Sequence, residues 1–159
     1  MTVNFKKLPD LQLFKNNISN NTTSFRLQKP KRANEETRNL VFLHGLNGSS
    51  KSWYYQFTHF DIHKVISIDA PGFGASKLQQ GGIPEFADEV AQLLEHLEIE
   101  AAIVVGHSMG GMLAQLLASR LSNKCVGLFL SCTHKGRAKP KKEPLSQETR
   151  QRMNDRINL

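Results

Sequence analysis

The sequence predicts an α/β protein built on a doubly wound, mostly parallel sheet. Two observations carry this expectation. Short apolar, β-branched runs alternate along the chain with longer stretches of helical period, the alternation that joins parallel strands through right-handed crossovers. One such run, 101–105, passes straight into Gly106-His107-Ser108-Met109-Gly110-Gly111 and then into the helix formers of 112–118. A strand must therefore reverse into a helix within a few residues, and glycines stand where the chain passes close to its neighbours.

The elements come in this order. Residues 1–38 are a polar lead-in with at most short strands, the best signal lying at 24–28, and the Pro30 to Thr37 stretch is an exposed turn. The first convincing strand is 39–44, ending in His44-Gly45. A Gly-bearing loop then leads to a helix on which Trp53, Phe57 and Phe60 recur at helical spacing as one buried face. The strand 65–68 runs into a loop, 69–76, whose Pro71, Gly72 and Gly74 force tight turns. Pro84 opens a helix over 84–97 with Phe86, Val90, Leu93, Leu94 and Leu97 on one face. After the 112–118 helix comes a strand at 126–131. The basic segment 134–159 closes the chain with a polar helix from near Ser146.

Composition narrows the function classes. The chain has 159 residues, 21 Lys and Arg against 14 Asp and Glu, and a net charge of +7. Eight of those cations and three of the acids fall in 134–159, leaving the body near neutral with thirteen against eleven. A basic tail without interleaved aromatics reads as solvated, so nucleic-acid binding is not expected. No run approaches a membrane span and the first residues lack the apolar core of an export signal, so a cytoplasmic location is expected and the Asn-x-Ser/Thr triplets at Asn17, Asn20, Asn21 and Asn47 are chance. Cys125 and Cys132 stand at opposite ends of one strand, about 23 Å apart, too far to pair. No phosphate loop, dinucleotide fingerprint or metal-ligand spacing appears, so no cofactor and no metal is expected.

The turn at Ser108 has a chemistry of its own. The reversal forces Ser108 into a strained conformation and lifts its hydroxyl above the sheet edge. The helix after it offers free N–H groups and a positive dipole end, so an oxyanion formed by attack of Ser108 on a carbonyl meets the N–H of Met109.

Three blocks, Val41-Phe42-Leu43-His44-Gly45, Asp69-x-Pro71-Gly72-x-Gly74-x-Ser76 and Gly106-His107-Ser108-Met109-Gly110-Gly111, together resemble the α/β-hydrolase superfamily in residues, order and spacing over 39–133. The resemblance implies a sheet of the α/β-hydrolase type ending after about its sixth strand, in the family order 1-2-4-3-5-6-7-8. It implies Ser108 as nucleophile and an oxyanion hole from the backbone N–H groups of Leu46 and Met109. His44, Gly45, Gly106, His107 and Gly110 then support the elbow and its facing loop. The segment 130–136, with Glu143 to Ser146 and Arg152, looks like the start of a lid of the 3-oxoadipate enol-lactone hydrolase type, which implies a small ester or lactone substrate.

One departure stands against the pattern. The family places its catalytic acid and histidine after later strands, whereas His134 is the only histidine downstream of Ser108 and Glu143, Glu148 and Asp155 sit in the charged tail. A serine hydroxyl needs a hydrogen-bonded base to attack. The expectation is thus the N-terminal part of a hydrolase, active with a complementing C-terminal polypeptide or as part of a longer product, or else a catalytically silent remnant that at most binds a ligand or partner. The last strand, an edge rich in apolar residues, makes self-association a further expectation.

Overall fold

The computed structural model describes residues 3–135; the expected helix near Ser146 and the tail acids lie outside them. Among the described residues six strands form one sheet: β1 (Leu11–Lys15), β2 (Thr22–Gln28), β3 (Asn39–Leu43), β4 (Lys64–Ile68), β5 (Ala102–His107) and β6 (Cys125–Ser131). Their order across the sheet is β1-β2-β4-β3-β5-β6, the order the family resemblance implies for its first six. β1 and β2 are antiparallel to their neighbours, and β4, β3, β5 and β6 are mutually parallel. Three α-helices connect them: α1 (Tyr54–His59), α2 (Ile83–His96) and α3 (Met109–Leu121).

Strand alternation sorts the core into two layers. Val41 and Leu43 of β3, Ile66 and Ile68 of β4 and Val104 of β5 share one core with α2 and α3. On the opposite face Leu40, Phe42 and Val65 pack with Phe57 of α1, and Trp53 and Tyr54 lie over them. α2 buries Phe86, Ala87, Val90, Leu93 and Leu94, one face at the spacing its period requires. The chain crosses from β3 to β4 on one face and from β4 to β5 on the other, so the carboxyl ends of β3 and β5 flank a topological switch point, where open α/β sheets form their crevices.

The aromatic helix differs from its expectation. Its first turn, Ser50–Trp53, is a 3-10 turn, and α1 ends at His59. Phe57 is buried, but Phe60 lies just past the helix end and is 38% exposed. It reaches Phe42 by ring stacking with centroids 6.3 Å apart. Apolar residues of β6 stand open: Phe129 is 62% exposed and Val126 59%, with Leu128 and Leu130 exposed to a lesser degree. Among the described residues its outer edge pairs with no strand. Cys125 and Cys132, at its two ends, are free thiols. No described helix is long and apolar enough to cross a membrane.

The lead-in holds more order than its polarity suggests. β1 and β2 form a hairpin whose corner residue Asn16 is almost wholly buried. Asn16 Oδ1 accepts from the Ile18 N–H at 2.9 Å, and its Nδ2 donates to Oε2 of the equally buried Glu89 on α2, also at 2.9 Å. One amide thus closes the hairpin and ties it to the body. Asn16→Leu would strip a buried carboxyl of this donor and is expected to cost about 2–4 kcal/mol, read as a lower urea midpoint; an unchanged midpoint would show that the tether carries no stability.

Candidate active site

Ser108 sits between β5 and α3 with φ 53° and ψ −115°, a left-handed backbone that a residue with a Cβ rarely adopts. Its surroundings explain how it is held there. A side chain on Gly106 would occupy the backbone of Gly110 and Gly111, and one on Gly110 would occupy the carbonyl of Leu43 at the end of β3. The helix therefore starts almost in contact with the neighbouring strand. Ser108 donates its N–H to the Ser131 carbonyl at 2.9 Å, and its own carbonyl accepts from Gly111 at 3.0 Å and from Met112 at 3.3 Å as α3 begins.

The same approach brings the loop after β3 alongside. A Cβ on Gly45 would lie 3.1 Å from the His107 ring and 3.3 Å from Ser108 Cβ. Ser108, His107, His44, Gly45 and Leu46 line one open cavity of about 760 Å³. Its walls come from Trp53 and Gln56 on one side and Phe129 and Ser131 on the other. Met109 turns instead toward a smaller, mostly apolar cavity of about 290 Å³ beside Phe73 and Phe86.

His44 is buried and its ring is committed at both nitrogens. Nε2 accepts the Ala70 N–H at 2.9 Å, which places the ring proton on Nδ1, 2.7 Å from the Gly45 carbonyl. Burial lowers its pKa below the ordinary 6.5, opposed by the Gly45 carbonyl and, more weakly, by the Asp69 charge. The ring bridges the ends of β3 and β4. His107 is exposed, with Nδ1 3.4 Å from Ser131 Oγ.

Asp69, which local pattern marks only as the start of a turn-rich loop, holds a buried polar ring beneath this site. Its carboxylate accepts the Ser24 hydroxyl at 2.7 Å and the N–H of Ser50, where the loop from Gly45 ends. Ser76 Oγ donates to the Asp69 carbonyl at 2.8 Å and accepts the Ser24 N–H at 2.8 Å. Gly74, at φ 56°, faces the Asp69 carboxylate at a distance no side chain would permit. The signal was present in the Asp69 to Ser76 motif, but its partners come from β2 and from the end of the loop after β3, beyond the reach of spacing.

A family model described as the α/β hydrolase fold matches residues 38–155. The chain belongs to this family. It is 35% identical over 94 residues to the dihydrolipoyllysine-residue acetyltransferase component of the acetoin cleaving system of Pseudomonas putida, a match covering 57% of this chain and 25% of that protein. It is 30% identical over 99 residues to the (E)-2-((N-methylformamido)methylene)succinate hydrolase of Acinetobacter baylyi, covering 60% and 36%. Among solved structures, an N-acyl homoserine lactone degrading enzyme superposes with a TM-score of 0.67 at 27% identity, over 77% of this chain and 45% of the other. A carboxylesterase of Nitrososphaera gargenis shares the fold, with a TM-score of 0.72 at 20% identity over 89% and 52%. This α/β-hydrolase chain thus spans about half or less of the length of each of these proteins.

The committed His44 predicts a pH dependence. Because its folded pKa lies below the unfolded 6.5, the unfolded chain binds the proton first as pH falls, so stability is full above about pH 6.5 and declines below it. Urea unfolding between about pH 7 and pH 5 is expected to show this slope in the wild type and a shallower one in His44→Asn. Equal slopes would show that His44 is not its source.

Proposed function

We propose that this chain carries the nucleophile of a serine hydrolase acting on a small carboxylic ester or lactone, with Ser108 Oγ as the attacking atom. The backbone of Ser108 carries the reading: strain at a left-handed serine survives only where its surroundings over-determine it, and here it opens onto the large cavity. The likeness to an N-acyl homoserine lactone degrading enzyme supports the substrate class. Attack on the ester carbonyl forms a tetrahedral oxyanion, for which the N–H groups of Leu46 and Met109 are the donors in this reading. Collapse breaks the bond to the alkoxide, leaving an acyl-serine that water then cleaves. His44, Gly45, Gly106, His107 and Gly110 serve by position, holding the elbow and the facing loop close together.

Each step also needs a base that takes the Ser108 proton and returns it to the leaving alkoxide. His44 does not serve, since both its nitrogens are engaged with backbone. We assign the base and its acid to structure that continues the sheet beyond β6, supplied either by a longer form of this chain or by a complementing polypeptide. A catalytically silent, ligand-binding chain is the second reading, favoured by the same commitment of His44. A cytoplasmic setting, which keeps Cys125 and Cys132 reduced, suits both.

A fluorophosphonate probe separates the two. The chain alone is expected to label scarcely above a Ser108→Ala control, and addition of a polypeptide supplying the base to raise Ser108 labelling by about 100-fold or more. No rise would favour the silent reading, and strong labelling of the chain alone would place a working base within it. The exposed β6 edge generates a separate expectation, that purified chains self-associate and that Phe129→Lys reduces this. Size-exclusion chromatography with light scattering decides it, a stable wild-type monomer at tens of micromolar counting against the edge.

A further inference from the structure

We infer that Thr133 is a positioning residue for Ser108, its hydroxyl fixing the elbow backbone against the exit of β6. Thr133 Oγ1 donates to the Ser108 carbonyl at 2.7 Å. The Ser108 N–H donates to the Ser131 carbonyl at 2.9 Å. One short segment therefore holds Ser108 from both sides of its Cα, and the two bonds bracket the φ and ψ that place its Oγ.

A second, independent observation shows that room is made for this contact. A Cβ on Gly111 would lie 2.5 Å from Thr133 Cβ and 2.6 Å from its Cγ2 and Oγ1. The second glycine of Gly110-Gly111 thus admits Thr133, whereas the first admits the end of β3. Gln115, one turn further along α3, completes the strap: its Nε2 donates to the carbonyls of Gly111 and His134, each at 3.1 Å. Neither the helix nor the strand alone sets the geometry of Ser108. A residue with a Cβ at positive φ relaxes when its external bonds are lost, because the allowed regions lie elsewhere. Relaxation here carries the hydroxyl and the adjoining Met109 N–H away from each other. The catalytic consequence rests on the reading of Ser108 as nucleophile; the geometric one does not.

Three proteins test this: the wild-type chain, Thr133→Val, which keeps the shape and loses the hydroxyl, and Thr133→Ser, which keeps the hydroxyl. Backbone amide hydrogen exchange at Ser108 and Gly111 is expected to quicken about tenfold in Thr133→Val and to stay within about twofold of wild type in Thr133→Ser. In the complemented protein, fluorophosphonate inactivation is expected to slow by about tenfold in Thr133→Val at unchanged half-saturation, and Thr133→Ser to restore it. Unchanged exchange in Thr133→Val overturns the inference, and so does Thr133→Ser behaving like Thr133→Val, which would assign the effect to the methyl group. If Thr133→Val does not fold, Thr133→Ala supplies the same comparison. If wild-type complemented protein does not label, the nucleophile reading fails while the exchange data still decide the role of Thr133.

Discussion

The contact on which the rest of this structure depends is the approach of the α3 N-terminus to the end of β3. Gly110 lies against the carbonyl of Leu43, and Gly106 lies under Gly110 and Gly111, at separations that leave no space for a Cβ. This contact requires β3 and β5 to be adjacent and parallel, as they are from Leu40↔Ile103 to Leu43↔Gly106. It also sets where the loops leaving the two strands begin. Leu43 is succeeded by His44-Gly45 and Gly106 by His107-Ser108, so two loops distant in sequence meet at one crevice. The left-handed Ser108 is the local cost of that meeting, and the hydrogen bonds from the β6 exit hold it.

Beneath the crevice the polar groups are paired rather than merely hidden. Asp69 is 1% exposed, yet its carboxylate has the Ser24 hydroxyl and the Ser50 N–H as donors, and Ser76 closes the ring through the Asp69 carbonyl. A buried network of this kind is worth keeping only when its members are satisfied. Here it joins β2, the end of β4 and the loop after β3, the three pieces that must stay together for Gly45 and Leu46 to face Ser108. His44 adds a fourth tie from β3 to Ala70. The loop beside Ser108 is therefore anchored at both ends, by His44 at its start and by Ser50 at its finish.

The parts legible in the sequence are those written in local pattern. The parallel strands at 39–43, 64–68 and 102–107, the face of α2 and the elbow at Ser108 arise from apolar runs, helical period and glycine spacing. β1 was not legible, because its Leu11, Leu13 and Lys15 lie exposed at the sheet edge and carry little burial signal. What orders it is the buried Asn16 meeting Glu89, 73 residues away. Phe60 misled in the opposite sense: its spacing from Trp53 and Phe57 is helical, but the helix ends before it.

What the sequence determined by itself was therefore the order of elements from β3 onward, the family and the place of the strained serine, since each rests on neighbours within a few residues along the chain. What only the tertiary structure decided was how that serine is held: by a threonine 25 residues onward entering the space left by Gly111, and by two hydroxyls and one backbone N–H closed around Asp69 from three separate segments. The physical reason is that hydrogen bonds and close packing act over a few ångströms in space regardless of separation along the chain, and neither leaves a period in the residues that make it.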